Sequence, residues 1–285
     1  MAVIGGGIMG AGIAQVSAQS GHTVTICDLN PEILKNSVAS IDKSLTRVAS
    51  KKFEKDPAAG AAFKANILKA ISTSPKLEDV RGADLVVEAI VENLDVKKKL
   101  FKDLDALLPP NAIFASNTSS IRITDIAAAT NRPDKFAGIH FFNPVAVMKL
   151  VEIIKTDKTS PAVISFLTDY VKSLGKTGII CADTPGFVVN RLLVPYLMEG
   201  IRLLETGCAS KEDIDTAMKL GAGHPMGPLE LADFTGLDTL KYIMDGWHKN
   251  QPNVQLFNPS PLLDKLVAEG KLGRKTGEGF FKYTK

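Results

Sequence analysis

The stretch Val3-Ile4-Gly5-Gly6-Gly7-Ile8-Met9-Gly10-Ala11-Gly12 leaves this chain the fewest choices. Gly5, Gly7 and Gly10 fit G-x-G-x-x-G, between a short apolar run and a segment with helical periodicity. In that pattern Gly5 allows a tight turn out of a strand, Gly7 lets backbone approach a pyrophosphate, and Gly10 lets the helix sit close to the strand. A helix that opens at Ile8 and Met9 points its unpaired N–H groups and positive dipole end at that phosphate. Alone, the pattern also fits a plain glycine-rich turn. Its context favours the dinucleotide site: Ile8 to Ser20 reads as a helix closed by Gly21, Thr23 to Ile26 as a second strand, and Asp28 ends it. An acid about twenty residues beyond the glycines accepts hydrogen bonds from the adenosine ribose hydroxyls. Leu29-Asn30-Pro31 offers no Arg for a 2′-phosphate, so the expected cofactor is NAD.

At 285 residues two domains are expected. A net charge of +3 gives no global argument for nucleic acid or a membrane surface, so any anion preference must come from a local cluster. Cys27, Cys181 and Cys208 are odd in number and lack metal-ligand spacing, which predicts reduced thiols inside a cell and no metal site. No apolar run approaches the length of a membrane span. The chain opens directly on its first strand, from which no leader and a processed or trimmed N-terminus are expected.

After Asn30 and Pro31, an N-cap and first helical position, Leu34, Val38, Ile41, Leu45 and Val48 form the stripe of a long amphipathic helix. Its far end carries Arg47, Lys51, Lys52 and Lys55, a solvated helix end or a site for a phosphorylated ligand tail. An Ala-rich segment follows, so 31–70 reads as a helical excursion from the sheet. Ala83 to Ile90 reads as a strand buried on both faces, with Glu92, Asn93 and Lys97 beyond its carboxyl end. The next helix, from Leu94, is predicted to bury Val96, Leu100, Leu104 and Leu107. A strand from Ala112 delivers Ser116-Asn117-Thr118-Ser119-Ser120 to the same edge, and Phe136–His140, Lys149–Lys155 and Lys176–Ala182 read as further strands. This alternation argues for a doubly wound α/β sheet over residues 1–184. Beyond Thr184-Pro185-Gly186 the pattern turns helical, beginning with Phe187 to Glu205, and 185–285 is expected to be a separate all-α domain.

His140 and Glu152 stand twelve residues apart across a turn, a spacing that predicts neighbouring strands. A carboxylate beside a histidine fixes its tautomer and supports the imidazolium, a common acid–base arrangement, although a His at a strand end also serves simple structural roles. The surrounding motifs weigh on that choice. His140-Phe141-Phe142-Asn143-Pro144, with Asn117-Thr118-Ser119-Ser120 upstream and Pro185-Gly186-Phe187-Val188-Val189-Asn190-Arg191 downstream, resembles the L-3-hydroxyacyl-CoA dehydrogenase family. Gly223-His224-Pro225-Met226-Gly227-Pro228 and Lys275-Thr276-Gly277-Glu278-Gly279-Phe280 extend the resemblance over essentially the whole chain. Segment 44–66 is closer to the mitochondrial single-function, short-chain type than to shorter bacterial relatives.

The resemblance implies a Rossmann-type domain, a helical domain that mediates homodimerisation, and reversible oxidation of L-3-hydroxyacyl-CoA by NAD in fatty-acid β-oxidation. It implies that His140 takes the C3 hydroxyl proton, that Glu152 orients His140, and that Ser119 and Asn190 hydrogen-bond the reacting oxygen. Glu92, Lys97, Ser119, Asn143 and Lys275 match residues that hold the cofactor, and Ser44, Lys51 and Ser119 match contacts to the CoA substrate. A mitochondrial matrix location follows, or the cytoplasm for a bacterial source. Each position has a plainer alternative: Asn190 could cap a helix, Lys275 could be an exposed cation, Ser44 a helix-surface serine. Rival readings are an enzyme of free hydroxy or sugar acids, which has no need of the basic helix at 44–55, and a structural protein recruited from the same superfamily.

Overall fold

The computed structural model describes residues 1–283, and the chain forms two compact units, Met1–Phe187 and the residues from Val188 onward. The first unit is an eight-stranded sheet of β1 (Ala2–Ile4), β2 (Val24–Cys27), β3 (Ile71–Ser74), β4 (Leu85–Glu88), β5 (Ile113–Ser116), β6 (Phe136–Phe141), β7 (Leu150–Lys155) and β8 (Thr177–Ala182). Their spatial order is β3-β2-β1-β4-β5-β6-β7-β8, and every neighbouring pair is parallel except β6 and β7. The first six strands follow the dinucleotide-binding order, with the chain reversing direction across the sheet between β1 and β4. That reversal opens a crevice at the carboxyl ends of the strands. Short β1 is fully buried and bonded on both sides, so its neighbours supply the stability its length does not.

Helices α1 (Ile8–Gln19), α2 (Pro31–Lys52) and α6 (Pro161–Ser173) cover one face, and α4 (Leu94–Leu107) with α5 (Ile123–Ala127) the other; α3 (Pro57–Lys69) packs on α2. On the first face Ile13, Val16, Ile41, Leu45 and Leu167 share one core. On the second, the rings of Phe101, Phe114 and Phe136 pack edge to face and tilted, with centroids 4.6–6.2 Å apart.

Three local expectations are corrected. β3 was not anticipated: Ile71-Ser72-Thr73-Ser74 lacks an apolar alternation because it is an edge strand, bonded only to β2, with its side chains largely in water. Helix α4 buries Lys97, Phe101 and Leu104 while Val96 is 44% exposed, and Val38 of α2 is likewise exposed at 39%. The α4 face is turned because Lys97 points inward to the buried carboxylate of Glu88, which a rule assigning lysine to solvent cannot anticipate. The helix expected from Phe187 begins at Val189, since Phe187 itself takes a positive φ of 52°.

The second unit contains α7 (Val189–Glu205), α8 (Lys211–Gly221), α9 (Pro228–Thr235), α10 (Leu237–Asn250) and α11 (Pro261–Ala268), around a core that includes Leu197, Met198, Leu229, Trp247 and Phe257. Ser210 caps α8 through the Asp213 N–H at 3.1 Å, and Ser260 caps α11 through the Leu263 N–H at 3.1 Å. Buried Asp233 of α9 accepts the Phe280 and Phe281 N–H groups and the Tyr283 hydroxyl, tying the last described residues to the bundle; burial pushes its carboxyl up.

The turned face of α4 is measurable. Phe101→Ala should cost about 3–5 kcal/mol in chemical denaturation, the usual cost of emptying a ring-sized core site. Val96→Ala should stay within about 0.5 kcal/mol, as for a surface change. Equal losses would return Val96 to the core.

Candidate active site

The carboxyl edge of the sheet gathers the functional groups. At the β1–α1 turn, Gly5 has φ 104°, and a Cβ there would lie 2.5 Å from the Ala89 carbonyl oxygen. A Cβ on Gly10 would lie 1.8 Å from the Gly5 carbonyl oxygen, so the first turn of α1 rests directly on the strand end. Gly7 differs: nothing lies within 4 Å of its missing Cβ. Gly7 is the N-cap of α1 without a side-chain cap, and no acid occupies the first turn, which leaves the N–H groups at Ile8 and Met9 suited to an anion. Asp28, at the end of β2, accepts the Gly6 N–H at 2.9 Å on one oxygen and the Asn30 N–H at 3.0 Å on the other. The carboxylate is thereby fixed with lone pairs to spare for a ribose diol. An open phosphate cradle and a pre-set acid fit NAD.

The second group lies three and four strand positions from β1, where the sheet's one antiparallel pairing sets His140 of β6 directly opposite Glu152 of β7. The His140 Nδ1 is 2.7 Å from a Glu152 carboxylate oxygen, and both residues are buried. Glu152 accepts, so Nδ1 carries the proton and Nε2 of the neutral ring is the free base. That Nε2 is 3.0 Å from the Ser119 hydroxyl. The rings of Phe142 and Phe187 flank the imidazole, with centroids 4.5 and 5.7 Å away. Ser119 is exposed, so this relay ends at the surface of the crevice.

Glu92, in the loop after β4, holds the loop that carries Ser119. One of its oxygens accepts the Thr118 hydroxyl at 2.5 Å, the Ser119 and Ser120 N–H groups at 3.1 Å each, and the Ser120 hydroxyl at 3.0 Å. Its other oxygen meets the Lys97 ammonium at 3.1 Å. Burial alone would raise the Glu92 carboxyl; the Lys97 charge and these hydroxyl donors outweigh it and hold it below its ordinary 4.5. Lys97 is wholly buried and also pairs with Glu88 at 2.7 Å, so it meets Glu92 rather than the open crevice. Glu88 escaped the sequence reading, yet an acid inside the run Leu85-Val86-Val87-Glu88-Ala89-Ile90 is a signal, because a buried charge demands a partner.

Asn143 is exposed at the loop after β6, and its bond to Pro144 is cis. Ser44 and Lys51 lie two turns apart on α2, half-buried and exposed respectively. Neighbouring Lys52 packs over the Phe53 and Phe63 rings, and Lys64 pairs with Asp42, so the basic end of α2 is only partly available to a ligand. In the second unit Asn190 is half-buried in the first turn of α7, and Lys275 is paired to Asp238 at 2.5 and 2.7 Å. Among the described residues no cluster of three or more His, Cys, Asp or Glu could hold a metal ion, and no helix is long and apolar enough to cross a membrane.

Comparison with known proteins agrees with this geometry. Residues 1–184 match the family described as 3-hydroxyacyl-CoA dehydrogenase, NAD binding domain, and residues 186–283 match 3-hydroxyacyl-CoA dehydrogenase, C-terminal domain. The chain is 60% identical to the mitochondrial hydroxyacyl-coenzyme A dehydrogenase of Sus scrofa and 61% identical to that of Homo sapiens, over 99% of this chain and 90% of each relative. Among solved structures, the (S)-3-hydroxybutyryl-CoA dehydrogenase of Ralstonia eutropha superposes with a TM-score of 0.94 at 43% identity, covering 100% of this chain and 98% of that one.

The electrostatics of Glu92 carry a pH signature. A carboxyl lowered by folding stabilises fully above its ordinary 4.5 and loses that contribution as pH falls through its lower folded value. Glu92→Gln should therefore melt below wild type at neutral pH, with the gap closing only below about pH 4. A gap that does not depend on pH would show that the charge of Glu92 is immaterial.

Proposed function

The chain belongs to the 3-hydroxyacyl-CoA dehydrogenase family, and from that premise we propose that it interconverts L-3-hydroxyacyl-CoA and 3-ketoacyl-CoA with NAD as cofactor. The observation that carries this reading is the Ser119–His140–Glu152 relay at the same sheet edge as the glycine cradle. In the oxidation, His140 Nε2 removes the proton of the C3 hydroxyl. The imidazolium so formed is stabilised by Glu152, already bonded to Nδ1 at 2.7 Å. The Ser119 hydroxyl, 3.0 Å from Nε2, donates to the same substrate oxygen as charge develops on it. NAD, when bound, supplies the acceptor for the hydride lost from C3. Gly5, Gly7, Ile8, Met9, Gly10 and Asp28 hold it, and Glu92 shapes the loop beside it.

The remaining assignments extend the family reading. Asn190 is a second donor to the reacting oxygen, Asn143 and Lys275 bind the cofactor, and Ser44 and Lys51 bind the CoA nucleotide. Fatty-acid β-oxidation and assembly into a homodimer through the helical unit belong to the same family reading, as does a place in the mitochondrial matrix, which the mitochondrial names of the Sus scrofa and Homo sapiens relatives support.

Steady-state oxidation of NADH with acetoacetyl-CoA tests the reaction class against free acetoacetate as control. Turnover of the thioester and not of the free acid is expected; equal turnover would move the protein to the free-acid class. In the same assay His140→Gln should lose about 10²–10⁴ in kcat with NADH affinity retained, and Glu152→Gln at least about tenfold. A Glu152→Gln enzyme with wild-type kcat would break the pair.

Lys51→Ala tests the CoA contact. Its exposed charge should act on uniform binding, raising KM for acyl-CoA with kcat nearly unchanged, and the effect should fade with salt. An unchanged KM at low salt would return the basic end of α2 to solvent.

A further inference from the structure

We propose that Glu88, a buried carboxylate outside the catalytic relay, is the positioning residue that sets Ser119 against His140, acting through Lys97 and Glu92. The inference rests on the reading of Ser119 and His140 as the reacting pair. Glu88 is the last residue of β4 and has no exposed surface. One of its oxygens accepts the Ile90 N–H and the Lys97 ammonium, each at 2.7 Å, and the other accepts the Ser116 hydroxyl at 2.5 Å. Its carbonyl oxygen accepts the Asn117 N–H at 2.7 Å. Glu88 therefore grips the last residue of β5 and the first residue of the loop that carries Ser119.

The far end of that loop is reached through Lys97. Its ammonium, with no exposed surface, spans Glu88 and one oxygen of Glu92. With that oxygen held, the other faces the loop and collects four donors from Thr118, Ser119 and Ser120. Ser119 is thus held by its own N–H, while its hydroxyl is left to meet His140 Nε2 at 3.0 Å. A continuous chain of charge-assisted hydrogen bonds runs from the interior of the sheet to the reacting pair.

A contribution to stability is a poor reason for such an arrangement. A buried ion pair recovers little more than the desolvation it suffers, and well-packed neutral residues often do as well. Direction is what it provides. A carboxylate side chain at a crevice edge has several rotamers, and a misplacement of about 1 Å costs on the order of 10²-fold in rate.

Replacing both charges separates the two contributions. Lys97→Met alone leaves Glu88 buried without its partner and should lower the melting temperature. The double variant Glu88→Gln/Lys97→Met leaves neither of that pair charged and should recover most of that loss. Its kcat should nonetheless remain about tenfold or more below wild type, with KM for acyl-CoA within about twofold. Amide hydrogen exchange at Ser119 and Ser120, followed in the cofactor-free protein, should accelerate about tenfold. A double variant with wild-type kcat and wild-type exchange at these amides overturns the proposal. If the double variant does not fold, Glu88→Gln decides, because it retains the volume and the Lys97–Glu92 pair: faster exchange supports the proposal and unchanged exchange overturns it. The exchange does not depend on which group takes the proton. A fully active His140→Gln enzyme would therefore sink the base assignment and leave the exchange result standing.

Discussion

The antiparallel pairing of β6 with β7 is the constraint on which the proposed catalytic arrangement depends. Six of the seven neighbouring pairings are parallel, as in any doubly wound sheet; the reversal between β6 and β7 lets two side chains twelve residues apart face each other across a ladder. Side chains alternate faces along a strand, so a slip of one residue would send Glu152 to the opposite face of the sheet and leave His140 without its acceptor. The apolar neighbours Ile139, Phe141, Val151 and Ile153, all buried in the core on the other face, guard the register, because slippage would take them out of that core and turn His140 or Glu152 into it. The same packing that stabilises the sheet thereby fixes a tautomer.

Around that pairing, the carboxyl edge works by exporting fixed polar groups from a dry interior. Asp28, Glu92 and Glu88 each accept backbone N–H groups at the end of a strand or in the loop after one, and each holds a loop that faces the crevice. At Gly7 the opposite condition holds: backbone is left bare, with open space beside it and a helix end behind it. Bound phosphate would complete a helix terminus that the protein itself leaves uncapped.

Much of this was legible in the residues. The glycine pattern, the helix after it and Asp28 are local features, set by sterics and hydrogen bonding within one β-α-β unit. The pairing of His140 with Glu152 was legible as a spacing. What escaped was non-local. β3 has no hydrophobic signature because an edge strand needs none, and its Ser72 hydroxyl bonds the Thr25 hydroxyl of β2 at 3.0 Å. The burial of Lys97 turned the inner face of α4 away from Val96, while Leu104 stays buried and Leu100 and Leu107 partly so, because periodicity assigns a lysine to water unless its carboxylate partners are known.

The sequence by itself determined the dinucleotide cradle, the change from alternating β and α units to helices near residue 185, and the candidate acid–base pair. Each is written in glycine sterics, apolar periodicity or residue type within a short span. Only the tertiary structure decided that Glu88, Lys97 and Glu92 form one chain from the buried interior to the crevice edge, and that this chain ends on Ser119 beside His140. Those residues sit on β4, on α4 and in the loops beyond β4 and β5, and nothing local to any of them names the others. A buried charge takes its meaning from its partner, and its partner is set by packing.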